Sequence, residues 1–140
     1  MKKTVNICAL FVVMALSLMP ACAVFAPYAE STVVADPAVC VALPADAKTS
    51  CRLAADVLNK SYVSLAAVND TIKDNVLAGA FTPAYAQSLL DKSIDARKKL
   101  DKAYAAFQAG NYADALSQAN IVNTLLTALT AELVKREGSK

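Results

Sequence analysis

From residue 46 onward the apolar positions of the chain return every three, four or seven residues, the period of one helical face. In the first stretch Ala54, Leu58, Leu65, Val68, Ile72 and Val76 form the stripe, with Ser61 interrupting it and Tyr62 beside it. This predicts a helix over about residues 47–78, capped at its start by Asp46 or Thr49 and stopped by Gly79 as a left-handed residue. Thr82-Pro83 then opens a second helix, because Thr caps and Pro at the first helical position loses no hydrogen bond. It is predicted to run to about residue 109, with Leu90, Ile94, Leu100, Ala103, Tyr104 and Phe107 inward. Asp95 with Lys99 and Arg97 with Asp101 are opposite-charge pairs four residues apart on its wet side.

Gly110-Asn111 supplies a stop and a new cap, and Asp114 lies near the positive end of the third helix. That helix is predicted to reach about residue 135, where Lys135 and Arg136 suit the negative end. Tyr112, Ala115, Ala119, Val122, Leu126, Leu129 and Leu133 repeat nearly as a heptad, which leaves self-association open beside a monomer. Three helices with one apolar stripe each bury those stripes only against one another. The expected fold is therefore all-α: an antiparallel three-helix bundle of long helices over residues 46–140. Many core and flanking positions are Ala, so the helices can approach closely while burying little area per residue.

The first 45 residues read differently. Lys2 and Lys3 precede an apolar run from Val5 to Met19, broken only by Asn6 and Ser17 and ended by Pro20, which is a secretory signal pattern over residues 1–21. The run is shorter than the roughly 20 apolar residues of a membrane span. Residues 23–45 hold Pro27, Pro37 and Pro44 and a β-branched stretch at Thr32-Val33-Val34, with no helical period; residues 22–45 are expected to be an extended tether.

Met19-Pro20-Ala21-Cys22 resembles the lipobox of bacterial lipoproteins, with Met where Leu is usual and Pro after it. The resemblance implies a diacylated Cys22 as the first mature residue. Because Ala23 rather than Asp follows, resemblance to lipoprotein sorting implies the inner leaflet of the outer membrane, facing the periplasm. The alternative is cleavage after Ala21-Cys22-Ala23, giving a soluble periplasmic protein. With Cys8 in the leader and Cys22 claimed by lipid, Cys40 and Cys51 remain as a pair, and an exported chain meets oxidising conditions. A disulfide between them is expected.

Two further resemblances are local. Gly110-Asn111-Tyr112-Ala113-Asp114-Ala115 is similar to the turn of a tetratricopeptide repeat, but Lys102, Ala103 and Ala119 replace the family's residues and no second copy occurs. It implies a similar helical hairpin; peptide-binding activity is not implied. Lys140 resembles the terminal Lys that joins Braun-type murein lipoproteins to peptidoglycan, though that family is one continuous coiled-coil helix.

Charge and composition narrow the chemistry. Setting aside Lys2 and Lys3 leaves 12 of the 14 basic residues against 12 acidic ones, no footprint for a phosphate backbone, so no nucleic-acid partner is expected. The chain has no His, no Trp and three Gly, and its three Met fall in the leader. General-base catalysis by His and the usual haem and metal ligand sets are lacking, and no cofactor or metal site is expected. Ser93 with Lys92 or Arg97 is the one formal nucleophile arrangement, on what reads as an ordinary exposed helix; Asp70 with Asp74 and Asp91 with Asp95 read as solvated faces. Tyr62, Tyr85, Tyr104 and Tyr112 could serve a groove, but their spacing favours a structural role. The expected function is a non-enzymatic helical interaction module anchored in the envelope, with an envelope protein as partner. The alternatives are an apolar-ligand or lipid carrier and an exclusion or lysis-control lipoprotein of a mobile element.

Overall fold

The computed structural model describes residues 35–137, in which three long helices follow one short 3-10 turn and no strand occurs. The leader, Cys22, the tether up to residue 34 and Lys140 lie outside the described residues. The helices are α1 (Ala45–Leu77), α2 (Pro83–Gln108) and α3 (Tyr112–Glu137). Their ends fall within about two residues of the sequence expectation, the usual fraying range.

The start of α1 corrects that expectation. Neither Asp46 nor Thr49 caps it; Pro44 does, at φ −56° and ψ 154°, without a side-chain bond. The proline ring holds its own φ near the value needed, and the Pro44 carbonyl accepts from the Lys48 amide at 2.8 Å. Asp46 falls in the first turn, and the Thr49 hydroxyl donates back to the Ala45 carbonyl at 3.3 Å. The Thr82 cap is as read, its side chain accepting from the Tyr85 amide.

Both inter-helix turns close the same way. Ala80 N–H donates to Asn75 at 2.8 Å and Gly79 N–H to Val76 at 3.0 Å; Asn111 and Gly110 repeat the pair on Ala106 and Phe107. Gly79 (φ 68°) and Gly110 (φ 80°) adopt the left-handed conformation that this double bond requires and that a Cβ would oppose.

The carboxyl end of the expected tether is folded. Asp36 caps a 3-10 turn over Pro37–Cys40 by accepting from the Ala38 amide at 2.8 Å. Asn59 clasps Ala35 from both sides, accepting from its amide at 2.7 Å and donating to its carbonyl at 3.0 Å. Since Asn59 lies 14 residues into α1, the segment runs back along that helix for roughly 20 Å before turning into it. The Cys40–Cys51 disulfide closes this return, with a Cα separation of 5.6 Å and both residues fully buried. Residues 35–44 thus belong with the bundle. A short Pro-containing turn has no hydrophobic period, and its docking rests on contacts made across the chain: the Asn59 amide, the disulfide, and Lys48 Nζ donating to the Val41 carbonyl at 3.2 Å.

Each helix packs on both others. Tyr62 meets Asp101 while Asn69 meets Ser93, so α1 and α2 run antiparallel. Tyr85 and Lys92 reach Glu132, and Phe107 packs edge-on against Tyr112, so α2 and α3 are antiparallel as well. The core of α1 is Ala54, Leu58, Leu65, Val68 and Ile72 as predicted, and that of α3 runs from Ala115 to Leu133 as predicted. Val76 and Tyr112 are half-buried at the ends of their stripes.

On α2 Leu90, Leu100, Ala103 and Phe107 are buried as predicted, but Ile94 and Tyr104 are only half-buried, and the inner face instead takes in Leu89, Ser93 and Ala96. The stripe passes through two small residues, so a search for large apolar side chains slides to the neighbouring Ile94. Ser61 in α1 is likewise fully buried, its hydroxyl without a hydrogen-bond partner.

Candidate interaction surface

The polar side chains singled out from the sequence tie the helices together. Tyr62 is buried; its hydroxyl donates to Asp101 at 2.9 Å, Arg97 Nε donates to the same carboxylate oxygen at 2.9 Å, and the guanidinium lies 5.2 Å over the Tyr62 ring. Tyr85 donates to Glu132 at 3.3 Å and packs edge-on to Phe81. Tyr104, Phe107 and Tyr112 form a ring cluster at the α2–α3 turn, with centroids 6.5 and 5.4 Å apart.

Ser93 corrects the reading of an exposed helix. It is buried and donates to Asn69, while Arg97 is engaged by Asp101 and Lys92 by Glu132 at 2.9 Å. Asp70, Asp74 and Asp91 are exposed, Asp91 accepting from Gln87, and Asp95 pairs with Lys99. Among the described residues no three His, Cys, Asp or Glu side chains come together as a metal site.

Burial, then the hydrogen bond to Asp101 and that carboxylate's negative charge, push the Tyr62 phenol well above the usual tyrosine range. An acid whose folded pKa is raised contributes stability that is complete below its unfolded value, about 10, and that fades as pH rises above it. Denaturant titrations at pH 9 and pH 11 should therefore show a loss of stability that is smaller in Tyr62→Phe. An equal loss in both proteins would show that Tyr62 does not carry the alkaline limb.

The charges are unevenly placed. Eight charged residues occupy positions 91–102 of α2, whereas residues 61–69 of α1 and 115–131 of α3 contain none. Along the seam between α1 and α3 lie two adjoining open clefts of about 530 and 400 Å³, which share Ser64, Thr130 and Val134. Leu126, Val68 and Leu133 contribute apolar lining; Ala67, Thr71, Asn123 and Thr127 contribute small neutral side chains, and Lys135 closes one end.

This side can lose its water cheaply. The hydroxyls of Thr71, Thr127 and Thr130 each donate to the carbonyl four residues back at 2.9 Å, and Thr124 does so at 3.1 Å. Their donors are satisfied within the helix, so a partner that excludes water orphans none of them. Val63, Ile121 and Val134 are more than half exposed on the same two helices. A helix meant only for water would carry charges on its outer side. The charge-free run in α3 is visible in the sequence, but the regular apolar stripe there reports only the buried side.

Among the described residues no helix is long and apolar enough to cross a membrane. Compared with protein-family models, curated proteins and solved structures, the chain matches none.

Proposed function

We propose that the chain is an envelope lipoprotein, anchored through a diacylated Cys22 to the periplasmic face of the outer membrane, whose helical bundle is a non-enzymatic interaction module. The observation that carries the module is the α1–α3 side, without charges through residues 61–69 and 115–131, with its apolar residues exposed and its threonine hydroxyls bonded internally. The signal-like leader and the lipobox-like Met19-Pro20-Ala21-Cys22 support the anchor, and a disulfide between Cys40 and Cys51 suits an oxidising compartment. The same surface supports a protein partner better than an apolar-ligand carrier. Leu58, Ile72, Leu89, Leu100 and Leu126 fill the bundle interior, and the clefts lie open along a seam between helices.

The anchor is tested by labelling cells with radioactive palmitate. Incorporation that disappears in Cys22→Ala is the expected result. A mature protein beginning at Val24 with no lipid mass would refute the anchor and leave a soluble periplasmic module.

A further inference from the structure

The inner seam of α3, which packs on α1 and α2, uses a 3-4 repeat through Ala115, Ala119, Val122, Leu126, Leu129 and Leu133. A second 3-4 repeat runs along its outer side through Ser117, Ile121, Thr124, Ala128 and Ala131, all exposed. One step beyond each end of this second repeat stands a charge, Asp114 before it and Lys135 after it, both exposed. A repeat of 3.5 residues is what a helix needs to keep one line of side chains against another helix.

We infer that this outer seam of α3 pairs antiparallel with the same seam of a second copy of the chain. The inference rests on the interaction-module reading and names its partner. In that register, with the Thr124 layer at the centre, the layers of the repeat pair in reverse order: Asp114 of one copy lies within one residue of level with Lys135 of the other, Ser117 is level with Ala131, and Ile121 lies within one residue of level with Ala128. Each bulky side chain meets a small one, as interdigitating layers require. Thr124 meets its own counterpart on the two-fold axis, with its hydroxyl already donating to Asn120 at 3.1 Å.

Charge selects both the partner and the orientation. A helix that brought charges against residues 115–131 would strip their water and find no counter-charge, so its contact surface must be neutral over the same length. A second copy supplies that. Parallel pairing would oppose Asp114 to Asp114 and Lys135 to Lys135, whereas antiparallel pairing turns both like-charge contacts into opposite-charge ones and opposes the helix dipoles. The small side chains make a small contact, near the weak end of the range for specific interfaces. Anchors in one membrane would raise the effective concentration of copies and compensate for that.

The test uses the full-length chain in intact cell envelopes, with single cysteines at exposed positions that leave the core untouched. Under mild oxidation Thr124→Cys should give a covalent dimer. Ser117→Cys alone should not, but co-expressed with Ala131→Cys it should give the mixed dimer. Asp114→Lys should reduce Thr124→Cys crosslinking about tenfold, through two symmetry-related weak ion pairs turned repulsive, and adding Lys135→Asp should restore it. Absence of the Thr124→Cys dimer, or equal self-crosslinking of Ser117→Cys, overturns the antiparallel pair. In the first case a photo-crosslinker at position 124 separates the two readings. Capture of a different protein there would sink self-pairing and leave the interaction module standing, whereas no adduct of either kind would sink both.

Discussion

Replacing both cysteines of the Cys40–Cys51 bridge with Ala is expected to lower the unfolding free energy by about 3 kcal/mol, with the helical circular dichroism largely retained. The figure follows from loop closure. A bridge across 11 positions removes from the unfolded chain the freedom of a loop of about a dozen residues. The three inter-helix faces do not depend on it, which is why the helices should persist. What should be released is the return segment, residues 35–44, whose remaining hold on α1 includes the Asn59 clasp of Ala35. Two readouts check this: the denaturant midpoint, and hydrogen exchange at the Ala35 amide, which should lose protection in the double variant. Because both sulfurs belong to fully buried residues, reductant added to the native protein should act slowly and speed up only with denaturant. A change under 1 kcal/mol would mean that the clasp and the 3-10 turn hold the segment without covalent help.

The sequence carried the helices because their signals are local and repeated. Thr82-Pro83, Gly79 and Gly110 each specify a backbone conformation on their own, and the apolar stripes of α1 and α3, though they include Ala54, Ala115 and Ala119, are carried by Leu, Ile and Val at regular spacing. Where the reading slipped, the deciding interaction was either small or distant. Ser93 and Ala96 lie on the buried face of α2 without a hydrophobic signature, and Ser93 can be buried because Asn69, 24 positions away, accepts a hydrogen bond from its hydroxyl. The fold of residues 35–44 depends on Asn59, again 24 positions from its partner. The cysteine pair was legible only as a remainder, after the leader and the lipobox-like motif had claimed the other two. The candidate surface was legible as the missing charge in residues 115–131, yet its bearing on a partner required knowing which side of α3 stays exposed and where its threonine hydroxyls point their protons.

Leu58→Ala is expected to cost about 3 kcal/mol, and Leu77→Ala, in the same helix, under about 0.5 kcal/mol. Leu58 is 0 % exposed, whereas Leu77 is 69 % exposed at the last position of α1. Truncating Leu58 loses the transfer of its side chain from water and leaves a void beside a core that already contains many alanines. Such a core has little freedom to collapse inward: Ala54 and Ala55, one turn earlier in the same helix, are fully or almost fully buried and offer no long side chain to swing into the gap. The cost should therefore exceed the transfer term of the lost side chain alone, because a cavity term adds to it. Urea titration of the oxidised protein reads the difference directly, with the slope of the transition unchanged in both variants if two-state unfolding holds. Equal and small effects would show that the bundle repacks around position 58 and that its stability resides in the disulfide and the helix ends.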